Sequence, residues 1–121
     1  GGFVADELTV SINISYINGT RTHEVSAGNL ALDAGNLFFD TIQAIGTSAE
    51  AIVTGDITSP GYIFMQNLDA TNYLTIRTGS GGADVIKMAA GDIAFFKLSG
   101  TTPFGIANTA ACDLRVCVFK A

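Results

Sequence analysis

A strict alternation of apolar and polar side chains near the start of the chain restricts this region to β structure. Apolar residues occupy every second position from Leu8 to Tyr16, and polar residues occupy the positions between them. A period of two gives a strand one apolar and one polar face. Asn18-Gly19 follows, and this pair accepts the positive φ angles of a tight hairpin turn. We therefore predict a strand over 7–17 and an antiparallel return strand over 20–25.

Short β segments separated by turn signals continue to the end of the chain. Further predicted strands are 28–35, 37–45, 50–53, 62–67, 73–78, 85–88, 93–98, 103–108 and 112–119. Turn signals such as Ser59-Pro60-Gly61 separate them at the interval expected of a sandwich. We predict one all-β domain over 1–121, a single antiparallel β-sandwich with jelly-roll topology favoured. Residues 1–6 are expected to form an extended N-terminal arm.

The strand at 62–67 is predicted to be apolar on both faces. Tyr62 and Phe64 share one face, and Ile63 and Met65 share the other. A strand of this kind is covered on both sides, by a partner or by a loop. The composition agrees, since 48% of residues are hydrophobic and only 14% are charged. We expect a partner to cover part of this apolar surface; a well-filled core without a partner is the alternative.

The charge balance argues against nucleic acid as a partner. The chain has 11 acidic and 6 basic residues and a net charge of -5, and its basic residues form no stripe. Nucleic-acid binders usually carry such a stripe. The longest apolar runs are too short to span a bilayer, and the N-terminus lacks the pattern of an unprocessed secretory signal. We predict no direct nucleic-acid partner and no membrane.

The two cysteines are predicted to be free thiols. Cys112 and Cys117 are five positions apart, which is about 16 Å on an extended strand. That distance is too great for a disulfide, and the odd spacing places the two side chains on opposite faces. Cys112 shares its predicted inner face with Leu114, Val116 and Val118. Free thiols fit a protein made in a reducing cytosol.

Two polar loops contain residue types that could bind ions. The glycine run 79–82 could hold a phosphate, but no Lys-Ser/Thr follows, so a hairpin loop is preferred. Asn67, Asp69 and Asn72 could bind calcium through oxygen ligands. One carboxylate and two amides form a weak ligand set, and turn formation explains all three residues. The chain also has a single histidine and no C-x-x-C motif, so it lacks the usual ligands of a zinc site. We therefore predict no metal and no cofactor.

No combination of residues in the sequence predicts catalysis. His23 beside Glu24 could form an acid/base pair, but no nucleophile can be assigned to it. Asp84 and Asp92 could act as paired glycosidase carboxylates, yet both lie at the edges of predicted turns. We predict that the chain is not an enzyme and has no catalytic residues.

The tyrosines are the remaining candidates for ligand binding. Three of them could form a platform on which sugars stack: Tyr16, Tyr62 and Tyr73. Tryptophan, the best stacking residue, is absent. Packing in the core or at an interface is therefore the preferred interpretation.

A series of short motifs resembles small structural proteins of tailed bacteriophages. The motifs are Ile45 to Glu50, Gly55-Asp56-Ile57, Pro60 to Phe64, Asn67-Leu68-Asp69, Thr71-Asn72-Tyr73, Ile76-Arg77 and Ala90-Gly91-Asp92. The resemblance covers about residues 42–120. Capsid cement (decoration) proteins of this length are the most similar in style. No functional residue is carried over, because the motif residues form turns and sheet.

The resemblance implies a jelly-roll sandwich that trimerises over joints between capsid subunits. The expected function is a cement or decoration protein that binds the outer capsid lattice and staples neighbouring major capsid subunits. The expected state is a homotrimer on the exterior of the virion, assembled in the host cytoplasm. The alternative is a receptor- or glycan-binding module of a phage tail fibre or tail tip, with its affinity in loops 67–72 and 79–82.

Overall fold

The computed structural model describes residues 6–121, and these residues form strands and turns without a helix. The predicted N-terminal arm over 1–6 lies outside the described residues except for its last position. The chain divides into two compact units, Gly1–Gly35 and Asn36–Ala121. Ten described strands form three sheets, and every pair of neighbouring strands is antiparallel. The predicted all-β antiparallel class is confirmed.

The first unit contains one long β-hairpin. Strand β1 (Leu8–Asn18) pairs with strand β2 (Arg21–Leu32). Gly19 and Thr20 form the two-residue loop between them, and Gly19 has a φ of 60°. Glycine adopts this backbone conformation without a steric cost, which suits the first position of such a loop. The predicted first strand and the hairpin turn after it are confirmed, but the loop is Gly19-Thr20 and not the predicted Asn18-Gly19, because Asn18 still pairs with Arg21.

Strand β2 continues beyond its predicted end, because Gly28–Leu32 belong to it and do not form a separate strand over 28–35. Val10 pairs with Leu30 and Ile12 pairs with Ala27, so β2 has one additional residue at this point. Asn29 has a φ of 54°, and its N–H donates to the Ser11 side chain at 3.0 Å. The Gly-Asn pair that predicted a turn instead forms a β-bulge.

The second unit is a β-sandwich of two four-stranded sheets. Its strands are β3 (Phe38–Ile45), β4 (Glu50–Ala51), β5 (Pro60–Asn67), β6 (Leu74–Arg77), β7 (Asp84–Met88), β8 (Ile93–Lys97), β9 (Phe104–Ala107) and β10 (Cys112–Lys120). The "β10 sheet" has the order β3-β10-β5-β8, and the "β9 sheet" has the order β4-β9-β6-β7. A jelly roll has the same number of strands. Jelly-roll topology and a single domain over 1–121 stay predictions.

Both sheets supply the core of the sandwich. The inward side chains of the β10 sheet include Ile45, Ile63, Met65, Cys112, Leu114, Val116 and Val118. The β9 sheet contributes Leu74, Ile76, Met88 and Ala107. Strand β10 alternates buried and accessible positions along most of its length, as a period of two requires. The predicted inner face of this strand is therefore confirmed.

Candidate interaction surfaces

One face of the hairpin is almost entirely apolar. The strand register places five cross-strand pairs on it: Leu8 with Leu32, Val10 with Leu30, Ile12 with Ala27, Ile14 with Val25, and Tyr16 with His23. We call these ten residues the hairpin face; only His23 among them is polar. The opposite face is largely polar, and there Ser26 donates a hydrogen bond to the Asn13 side chain at 3.0 Å. The hairpin is thus an amphipathic two-stranded ribbon.

The hairpin face is open to solvent in the single chain. Along the described residues of β1 and β2, none is buried, and Ile14 and Tyr16 are each about half exposed. A two-stranded hairpin is marginally stable in water unless something packs against its apolar side. Each fully buried Val, Leu or Ile side chain contributes about 1.5–3 kcal/mol. Burial of the hairpin face against a partner therefore lowers the free energy of the complex.

The outward face of the β10 sheet is the second apolar surface. Three rows of side chains cross it, as the strand pairings show: Phe38, Phe119, Tyr62 and Lys97; Asp40, Cys117, Phe64 and Phe95; and Ile42, Arg115, Gln66 and Ile93. We call these residues the aromatic face. Its aromatic side chains come from all four strands of the sheet.

The aromatic face is only partly covered within the chain. Phe38, Ile42 and Ile93 are exposed, as are the charged Asp40, Lys97 and Arg115. The remaining side chains of the face are half-buried: Tyr62, Phe64, Gln66, Phe95, Cys117 and Phe119. Tyr62 stacks on Phe95 with ring centroids 5.4 Å apart and an interplanar angle of 6°. The prediction that β5 is apolar on both faces is confirmed, since Ile63 and Met65 on its other face are buried in the core.

The charges on the aromatic face balance. Arg115 donates to Asp40 in an ion pair of 2.8 Å, and this hydrogen bond holds the pKa of Asp40 below its usual value. Lys97 lies over the Tyr62 ring, 5.4 Å from its centroid. The exposed Asp113, two residues before Arg115 on the same side of β10, lies at the margin of the aromatic face. The aromatic face itself has one acidic and two basic side chains, and Asp113 brings the sum to zero, whereas the whole chain carries -5.

The outward face of the β9 sheet is more polar. Arg77 pairs with Asp84 at 2.6 Å, which lowers the pKa of Asp84, and the Lys87 ammonium lies 4.2 Å from the Tyr73 ring centroid. A depression of about 160 Å³ on this side is lined by Arg77, Asp84, Tyr73 and Asn108, among other residues. Ligand pockets usually have about 300–1,000 Å³. This depression is too small to enclose a ligand of ordinary size.

The candidate calcium ligands Asn67 and Asp69 form hydrogen bonds to the backbone of their own turn. The buried Asn67 side chain donates to the backbone oxygens of Asn72 and Met88 and accepts from the Asp69 N–H, each at 3.0 Å. Asp69 accepts from the backbone N–H of Asn72 at 2.6 Å and of Thr71 at 3.0 Å, and these bonds lower its pKa. Among residues 6–121, no group of three acidic, His or Cys side chains could hold a metal ion.

The other candidate pairs are not brought together. His23 pairs across the hairpin with Tyr16, whereas its neighbour Glu24 pairs with Ser15 on the opposite face. These two residues therefore form no acid/base pair. Tyr62 and Tyr73 lie on opposite outer faces of the sandwich, so these two tyrosines make no common platform.

The two aspartates considered for glycosidase chemistry have separate structural roles. Asp84 begins β7 in its ion pair with Arg77, and Asp92 accepts from the Ala89 N–H at 2.9 Å in the turn after β7. The length of β7, about 13 Å at ~3.3 Å per residue, separates the two ends. The glycine run 79–82 joins β6 to β7 as a hairpin loop, which confirms the preferred interpretation of that run.

The cysteines are free and lie on opposite faces of β10, as predicted. Cys112 is completely buried, and burial raises the pKa of its thiol. Cys117 is half-buried on the aromatic face, between Asp40 and Phe64 on the neighbouring strands. Burial also raises the pKa of this thiol, and the Asp40 carboxylate adds to the effect.

Comparisons with protein-family models, with curated proteins and with solved structures gave no match to this chain. In the described part of the chain, no helix is long and apolar enough to cross a membrane. The two apolar surfaces and the sequence motifs are the features from which we infer a function.

Proposed function

We propose that this chain is a structural protein that binds other protein subunits, and in particular a capsid cement protein of a tailed bacteriophage. The hairpin face is the observation that carries the proposal. It presents a continuous apolar surface on a ribbon that has no buried residue along β1 and β2. The motifs between residues 42 and 120 supply the phage assignment by resemblance.

The dimensions of the hairpin suit a contact that crosses a joint between subunits. From Leu8 to Tyr16 the ribbon extends about 27 Å, at ~3.4 Å per residue, and its two strands make it about 10 Å wide. A surface of this shape can contact two adjacent major capsid subunits at once. We propose that the protein acts as a homotrimer on the exterior of the capsid.

Stapling follows from linkage between binding and assembly. A ligand that binds the assembled lattice but not the separated subunits stabilises the lattice. Covering half-exposed side chains such as Ile12, Ile14 and Val25 contributes about 1 kcal/mol each, if half of the full burial value is gained. These small contributions sum over the many copies bound to one particle.

The loops suggested for a tail receptor-binding module offer less support for that alternative. The polar groups of loop 67–72 are directed to its own backbone, through the hydrogen bonds of Asn67 and Asp69. Loop 79–82 closes on itself, with the Gly82 N–H donating to the Gly79 oxygen at 3.0 Å. These bonds leave few polar groups in either loop for a glycan.

Rupture of capsids on heating, with and without added protein, tests the proposal. Wild-type protein should raise the rupture temperature of capsids that lack it, and Ile14→Lys should abolish the increase. Ile17→Lys is the matched control, because Ile17 lies on the opposite face of the same strand and is 74% exposed, compared with 54% for Ile14. Equal rupture temperatures with and without wild-type protein would contradict the proposed function.

A further inference from the structure

We propose that the aromatic face binds a second copy of this chain. The contact is independent of the hairpin face, which the proposed function assigns to the capsid lattice. A closed two-fold dimer formed through the aromatic face fulfils the proposal, because closed symmetry covers such a surface without polymerisation; the threefold contact of the proposed homotrimer uses other parts of the chain.

The area of the aromatic face is sufficient for a stable contact between copies. Strands β3 and β5 each have eight residues. Four strands spaced ~4.8 Å apart and about 27 Å long give a flat area of roughly 500 Å². Two copies together cover about 1,000 Å², which reaches the lower bound for a specific interface. Protruding side chains raise the accessible area above this flat value.

The charge of the aromatic face permits contact between identical surfaces. A chain with a net charge of -5 repels its copies wherever its acidic residues meet. Together with Asp113 at its margin, the aromatic face carries two acidic and two basic side chains, so identical faces meet without net repulsion. Asp40 and Arg115 on one copy can also pair with Arg115 and Asp40 on the other, because a two-fold contact is self-complementary.

The composition of the aromatic face matches the core of a protein interface. Aromatic residues are enriched and charged residues are depleted at the centre of such contacts. Phe64, Phe95 and Cys117 occupy the central row here, and the charged Asp40 stands at the end of that row on the edge strand β3. The charged Lys97 and Asp113 lie towards the margins of the face. Two sheets that pack face to face lie ~10 Å apart, which leaves room for interdigitating aromatic rings.

Sedimentation equilibrium of the full chain tests the contact with a matched set of variants. Ile93→Lys and Ile42→Lys place a charge on the aromatic face at positions 63% and 60% exposed in the single chain. Val85→Lys is the control, since Val85 is 64% exposed but lies on β7 in the other sheet. Because all three side chains are exposed in the single chain, lysine at each position should leave the fold intact.

Wild-type protein should form dimers, with a dissociation constant below about 1 mM. Ile93→Lys and Ile42→Lys should each raise that constant at least about tenfold, because each substitution removes an apolar side chain from the contact and places a charged ammonium there, which is costly to take out of water. Val85→Lys should change it less than about twofold. A monomer at every concentration, or equal association of the Ile93→Lys variant, would overturn the proposal.

Alkylation of Cys117 by a maleimide gives a second readout that does not depend on a variant. Cys117 lies in the central row of the aromatic face, so its labelling should slow as protein concentration rises and association proceeds. The buried Cys112 serves as the internal reference for an intact fold. Slow labelling of Cys117 in a monomer, independent of concentration, means that something other than a second copy covers the face, and would refute the proposal.

Discussion

Replacing Asn67 with leucine should destabilise the sandwich strongly. Asn67 is completely buried at the end of β5, and its side chain connects three backbone groups. It donates to the oxygens of Asn72 and Met88 and accepts from the Asp69 N–H. Leucine has nearly the same shape as asparagine but can neither donate nor accept. The substitution therefore removes the hydrogen bonds and leaves little new cavity.

The expected loss of stability follows from the three hydrogen bonds. A buried group that loses its partner costs about 1–3 kcal/mol. Three groups at the low end of this range give about 3 kcal/mol, and partial relaxation of the turn limits the total to about 5 kcal/mol. A domain is stable by only about 5–15 kcal/mol, so Asn67→Leu removes a large part of the total.

Urea unfolding followed by far-UV circular dichroism measures this loss. Asn67→Leu should shift the unfolding midpoint to a lower urea concentration. The slope of the free energy against urea should change little, because unfolding exposes nearly the same surface in both proteins. Asn108→Leu is the control, since Asn108 is exposed and its side chain donates only to Thr109. That control should change stability by less than about 0.5 kcal/mol. A loss below about 1 kcal/mol for Asn67→Leu would refute the assignment of Asn67 as the residue that holds this turn.

Three further predictions test other parts of the structure. Gly55→Ala should lower the thermal midpoint, because Gly55 has a φ of 59° and a Cβ there lies 2.5 Å from an aromatic ring carbon of β3; Gly79→Ala, whose Cβ meets open space, should not. A thiol titration of denatured protein without reductant should find two free thiols, and in folded protein Cys117 should react well before Cys112. A titration that finds no free thiol in fresh protein would contradict the assignment of 112–119 as a strand. The pKa of Asp69 is depressed in the fold, so its contribution to stability is present above the usual carboxyl pKa and is lost as pH falls through the folded value. In Asp69→Asn, the free energy of unfolding should therefore fall less steeply as the pH is lowered through the acidic range. An unchanged pH dependence would show that the turn does not stabilise the Asp69 carboxylate.

Local patterns predicted the strands well where the physical signal is itself local. The alternation from Leu8 to Tyr16 and the apolar positions from Cys112 to Val118 each define a strand without reference to the rest of the chain. Gly19 similarly marks its turn through a backbone preference. The roles of Asn67 and Asp69 were predictable because short polar side chains bond to nearby backbone.

Other features depend on which strands become neighbours, and this cannot be read from local sequence. Gly28-Asn29 is compatible with a turn or with a bulge; pairing with Ser11 on β1 selects the bulge. The neighbouring pairs Phe38-Phe39 and Phe95-Phe96 each place one aromatic ring on either side of a strand. Their outward rings share one surface only because β10 and β5 lie between β3 and β8.

The location of this protein in an intact particle tests the central claim most directly. Cryo-electron microscopy of the virion, together with the copy number relative to the major capsid protein, supplies the measurement. We predict hundreds of copies on the outside of the head, with the hairpin face against the capsid lattice and the aromatic faces of neighbouring copies in contact. A handful of copies confined to the tail, or a particle that does not contain the protein, would contradict the account.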